Sequence, residues 1–195
     1  VATIIEYQNA LQRLGRQGLV CNYFNGGAFG FAQGVEAGIL GWIAGEDPTI
    51  RPEMRANVRP FPPPAEEHLA RASVAAWTDQ LPGPAWIMPL SHWAFELDFG
   101  SKAWLPNLLQ SIGIDPHQLA GRSDASPLEF GLEEAPDFEQ FVQTLLENLT
   151  SSDFMLAFPD HPALCTIHHH KQLWWISSDR ALIGRIGGYG PESAV

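Results

Sequence analysis

Positive charge and cysteine are both scarce in this 195-residue chain. It carries 11 Lys and Arg against 22 Asp and Glu, a net charge of −11. A duplex- or RNA-binding surface needs clustered cations to neutralise phosphates, so nucleic acid is not an expected partner. Two cysteines, Cys21 and Cys165, are too few for the disulfide framework of a small secreted scaffold. Each sits in an apolar run with no adjacent basic residue. That is the setting of reduced, inert thiols in a reducing, cytoplasmic compartment.

Long hydrophobic runs are missing too. The most apolar stretch, residues 28–44, is broken by Gln33 and Glu36 and contains Gly30, Gly34, Gly38 and Gly41. It is too short and too polar to span a bilayer, so no membrane partner is expected. No basic segment leading into an apolar one opens the chain at Val1, and a start left by processing or trimming fits the sequence equally well. The motifs G-x-S-x-G, H-E-x-x-H, a Walker loop and a paired C-x-x-C are all absent. Gly26-Gly27-Ala28-Phe29-Gly30 has the wrong spacing for a dinucleotide fingerprint, and no lysine follows it. No cofactor is called for.

What is present suffices for a core: 45% apolar residues, seven Trp and eleven Phe. Thr3-Ile4-Ile5-Glu6 has the form of a capping box, predicting a helix with Ile4, Tyr7, Leu11 and Leu14 on one face and a stop at Gly15. Leu19–Phe24 reads as a short buried strand. Residues 25–45 admit two readings, a helix with a glycine stripe at 30, 34 and 38, or short strands and turns. Residues 46–64 read as a Pro-rich surface loop. Ala65–Leu81 forms a helix burying Leu69, Ser73, Ala76 and Trp77, with Glu67 four residues before Arg71. A strand begins at Ala85. His92–Phe99 alternates strictly, with Trp93, Phe95, Leu97 and Phe99 on one side, and predicts a half-buried strand. Asp115-Pro116 starts a short helix that ends at Gly121. A broad apolar stripe from Phe138 to Leu149 marks an amphipathic helix beginning near Pro136. Strands at 154–158, 164–168 and 173–177 follow, then a helix from Asp179 and a Gly-rich tail. Helices and strands do not alternate as βαβ units. The expected fold is therefore α+β, a single domain whose mixed or mainly antiparallel sheet has helices packed on one side. The His92–Phe99 strand is expected in the same sheet as the strands from 154 to 177.

Candidate sites come from charge and spacing. No Lys or Arg occurs from residue 123 to 170, a segment holding nine acids. Such a field would steer a basic protein partner, with Glu139 and Glu147 on the outer face of the 136–149 helix and an indole of Trp174 or Trp175 as anchor. The leading expectation is a non-catalytic binding or regulatory protein of the inhibitor or immunity type, and self-association into a homo-oligomer is a further possibility. The alternative is a small acid–base or metal-assisted hydrolase using His92, Glu96 and Asp98 along one strand face. His161, Cys165 and His168 have ligand chemistry but match no zinc spacing, so no metal is assigned to them. Three consecutive histidines, His168 to His170, cannot all reach one ion from a regular strand, and in a turn the last two would simply be exposed.

Overall fold

The computed structural model describes residues 2–22, 28–100 and 102–191. The chain opens on a two-residue strand, β1 (Thr3–Ile4), followed by α1 (Tyr7–Arg16). The expected capping box does not form. Thr3 pairs in the sheet opposite Glu129, and the helix begins after Glu6, whose carboxylate is held by Arg122 at 2.8 Å. Pairing of the Thr3 backbone therefore outcompetes its role as a cap. β2 (Leu19–Asn22) and β3 (Ala28–Phe31) form an antiparallel hairpin, and β4 (Gly38–Ala44) crosses the main sheet. The strand-and-turn reading of 25–45 thus holds over its described part; residues 23–24 of the Leu19–Phe24 run, residues 25–27 of that region and residues 192–195 after the Gly-rich stretch lie outside the described residues.

Residues 46–64 are more than a loop. A 3₁₀ helix (Pro52–Asn57) leads into β5 (Val58–Phe61), which pairs parallel to β4. α2 (Ala65–Gln80) buries Leu69, Ser73, Ala76 and Trp77 as the periodicity predicts, and Arg71 bridges Glu67 at 2.6 Å. β6 (Ala85–Pro89) is buried along its whole length.

The largest departure follows. Residues 92–99 form no strand. His92 is the extended N-cap of a single turn, α3 (Trp93–Glu96), and its Nδ1 accepts the Phe95 N–H at 3.2 Å. Two attachments make this turn. The Trp93 and Ala94 N–H groups donate to the carbonyls of Asp124 and Arg122, both at 3.1 Å. The buried Trp93 indole donates to the Ser126 carbonyl at 2.7 Å. The expected strand from Ala85, β6, joins the main sheet beside β8, and the 92–99 segment does not.

α4 (Trp104–Ser111) comes next, then α5 (Pro116–Ala120), capped by the Asp115 carboxylate on the His117 N–H. After β7 (Leu128–Phe130), α6 (Ala135–Asn148) buries Phe138, Phe141, Val142, Leu145 and Leu146. β8 (Phe154–Ala157), β9 (Ala163–His168) and β10 (Gln172–Ser177) form a meander, and α7 (Arg180–Gly187) closes the described chain with Asp179 as its cap.

Among the described residues the main sheet runs β1-β7-β6-β8-β9-β10-β4-β5, antiparallel except between β4 and β5. The fold is the expected single α+β domain. One sheet face presents Ile87, Leu156, Cys165, Trp175 and Trp42 to the apolar faces of α2, α4, α5, α6 and α7. On the opposite face Trp86, Met88, Met155 and Leu164 lie beneath α1 and the β2–β3 hairpin. Burial on both faces explains why β6 and β8 are apolar without alternation. No helix among the described residues is long and apolar enough to cross a membrane.

Candidate functional site

Glu96, Asp98 and residues 102–107, with Glu147 and Asn148 at the end of α6 and Thr150 just after it, line an open cleft of about 670 Å³. Glu96, Asp98, Lys102, Asn107, Glu147 and Thr150 give it polar walls. Each carboxylate is oriented by a local donor. Ser91 Oγ donates to Glu96, the Gly100 N–H donates to Asp98 at 2.8 Å, and Gln143 Nε2 donates to Glu147 at 2.8 Å. Of the trio expected on one strand face, Glu96 and Asp98 meet in this cleft, while His92 is not part of its lining. Phe95, outside the lining, is 69% exposed with its ring edge-on to His92, and Phe99, also exposed, stacks flat on His117 at 4.9 Å. Strict alternation assigns both phenylalanines to a core. The single helical turn at 93–96 presents Phe95 to solvent instead.

The nine acids of 124–160 do not share one face. Glu129 accepts the Trp86 indole N–H at 2.8 Å and lies 3.4 Å from Arg13, which also reaches Asp160 at 3.3 Å. Asp124 accepts the Ser126 N–H and hydroxyl, at 3.0 and 2.7 Å. Glu139 lies on the outer side of α6 with Arg71 at 3.9 Å, and Glu147 is exposed at the cleft. The two indoles cannot serve α6 as expected. Trp175 is wholly buried in the core. Trp174 occupies the opposite sheet face from α6, over Gly41, with its N–H on Gln172 at 2.7 Å.

A second cluster lies at the β9–β10 connection. His168 pairs with Gln172, which leaves a three-residue loop of His169, His170 and Lys171. Lys171 takes a left-handed φ of 59°, the geometry that closes a turn of this length. The loop folds the three imidazoles together, with ring centroids 4.2, 4.5 and 4.9 Å apart. Asp153 accepts both the His169 N–H, at 2.9 Å, and His169 Nδ1, at 2.8 Å. Its other oxygen lies 3.8 Å from His168 Nε2, and Asp47 lies 3.8 Å from His170 Nδ1. Burial holds the His168 imidazole below its ordinary value, outweighing the attraction of Asp153. The expectation that His169 is simply exposed fails, because Asp153 draws it into a half-buried position.

The structure does not unite His161, Cys165 and His168. His161 Nε2 is engaged by the Pro82 carbonyl at 2.9 Å. Cys165 belongs to the helix-covered core, whereas His168, three residues along the same strand, points to the other face. Burial pushes the Cys165 thiol well up, as expected of an inert cysteine, and neither cysteine forms a disulfide. Sequence reasoning counts Asp153 only as one of nine acids and misses its place behind His168 and His169, since a contact distant in sequence decides it.

No family model, curated protein or solved structure matches this chain.

Proposed function

We propose that this protein is a non-catalytic binding module that takes a basic segment of a protein partner into the cleft of Glu96, Asp98 and Glu147. One observation carries the reading: carboxylates from segments far apart in sequence, Glu96 and Asp98 against Glu147, line a single open cleft, and the chain neighbour of Glu96, Phe95, is 69% exposed. Three carboxylates against the ammonium of Lys102 leave the lining at a net −2, on a chain already at −11. Such a field raises the encounter rate with a cationic partner, and an exposed aromatic supplies the desolvated contact that charges alone do not. Glu139 extends the acidic surface along α6. Trp174 and Trp175 take no part.

The test is partner capture with the whole chain, followed by association kinetics at low and high salt. Glu96→Gln, Asp98→Asn and Glu147→Gln together are expected to slow association about tenfold at low salt and to flatten its salt dependence. Phe95→Ala is expected to weaken binding by more than about 1 kcal/mol, mainly through faster dissociation. A partner indifferent to salt and to all four substitutions would refute the reading. Substrate turnover that disappears on Glu96→Gln would assign the cleft to acid–base catalysis instead.

A further inference from the structure

The structure assigns to the β9–β10 turn a binding site for one divalent transition-metal ion of the imidazole-preferring class, Zn²⁺ foremost, held by a ring nitrogen each from His168, His169 and His170. This site shares no lining residue with the acidic cleft.

Distance is the first argument. One ligand nitrogen from each ring lies within 4.8 Å of the other two. Around a tetrahedral zinc with Zn–N of about 2.0–2.1 Å, neighbouring nitrogens stand roughly 3.3 Å apart. Closing the triad therefore asks for side-chain rotations that move nitrogens by about 1.5 Å at most, with the backbone turn already in place. A regular strand would send His169 to the opposite face. The left-handed Lys171 and the three-residue loop remove that obstacle.

The surrounding groups are those of a metal site. An ionised carboxylate only accepts hydrogen bonds, so the 2.8 Å contact to Asp153 places the His169 proton on Nδ1 and leaves the Nε2 lone pair for an ion. A carboxylate behind a histidine is the usual outer support of a ligating imidazole. His168 Nδ1 accepts the His170 N–H at 3.2 Å, which identifies a lone pair that a metal can take over. Asp153 and Asp47, each 3.8 Å from a ring nitrogen, bring negative charge and a possible fourth ligand. His168 and His170 also border a cavity of about 390 Å³ shared with Thr49, Arg51, Met54 and Trp174, so an ion here is reached from solvent.

The experiment uses tag-free full chain, titrated calorimetrically with Zn²⁺ after chelator treatment, and with Cu²⁺ as an electron-resonance reporter. The expected result is one Zn²⁺ per chain and a Cu²⁺ spectrum showing nitrogen hyperfine structure. His169→Gln and His170→Gln are each expected to weaken Zn²⁺ at least tenfold. Asp153→Asn should weaken it by about 10- to 100-fold through loss of outer support. Circular dichroism in chelator checks that each variant folds, and the half-exposed His170 supplies a variant that leaves Asp153 and its contacts intact. Absence of stoichiometric Zn²⁺ binding overturns the site. So does binding that survives His170→Gln and His169→Gln unchanged, which would place the ion on histidines elsewhere in the chain.

Discussion

Removing Glu129 tests whether an acid of the 124–160 segment serves structure rather than recognition. Its carboxylate accepts the indole N–H of Trp86, a side chain with no solvent exposure, and it also faces the Arg13 guanidinium. Arg13 in turn lies 5.1 Å over the Trp86 ring and reaches Asp160. In Glu129→Ala the buried indole loses its acceptor, which costs about 1–3 kcal/mol. Loss of the partly exposed ion pair adds at most about 1 kcal/mol. Glu129 is itself about a quarter exposed, so water entering the vacated space pulls the sum toward roughly 2 kcal/mol. Glu129→Gln keeps an amide oxygen as acceptor and forfeits only the charge, a loss below about 1 kcal/mol. Asp160→Ala, at a mostly exposed position, should stay within about 0.5 kcal/mol. The assay is urea unfolding at unchanged slope, supported by thermal midpoints. For a chain of this size 2 kcal/mol lowers Tm by about 4–8 °C. Equal losses for the Ala and Gln variants would refute the reasoning, because the hydrogen bond would then contribute nothing beyond the charge.

Two further outcomes are expected. A Cβ added at Gly41 would meet the Trp174 ring at 2.7–3.0 Å, so Gly41→Ala should cost about 1–3 kcal/mol of overpacking and alter the near-ultraviolet dichroism; an unchanged urea midpoint would contradict it. The Lys171 ammonium holds the Glu66 carboxyl below its ordinary 4.5, and hydrogen bonds from Thr49 hold Asp47 below 3.8. Because both folded-state values are depressed, the stability they confer is complete above those ordinary values and is lost as pH falls through the folded ones. The urea midpoint should therefore decline on acidification, Glu66→Gln should make that decline shallower, and identical pH profiles for the two proteins would show that Glu66 is not linked to folding.

Legibility of the sequence tracked how local each decision was. α2, α6 and the β8–β10 meander were readable because their apolar stripes and turn residues belong to the segment itself. α5 and α7 were readable because Asp115 and Asp179 cap the backbones that follow them. Misreadings arose where a distant strand or carbonyl competed with local preference. Thr3 is claimed by β7, and Trp93 by the Ser126 carbonyl, so a plausible cap and a plausible strand both dissolve. The candidate sites show the same division. Sequence alone marked Glu96, Asp98 and Glu147 as chemistry-bearing. Their meeting in one cleft required the path of α4. The histidine run was visible, but its convergence depends on the backbone angle at Lys171 and on the Asp153 carboxylate behind it.

The two ends of the main sheet carry a consequence for behaviour at high concentration. A free strand edge is a template for intermolecular pairing and for fibrous aggregation. At one end β1 is only two residues long, too short to seed a ladder. At the other end β5 contains Pro60, which has no N–H to donate, and Arg59 folds its guanidinium back onto the Val58 and Ala56 carbonyls, at 3.1 and 3.4 Å. A charged side chain and a missing donor on the same four-residue strand oppose docking of a further strand. Among the described residues the main sheet therefore offers no long open edge at either margin, which opposes lateral growth of that sheet at high concentration.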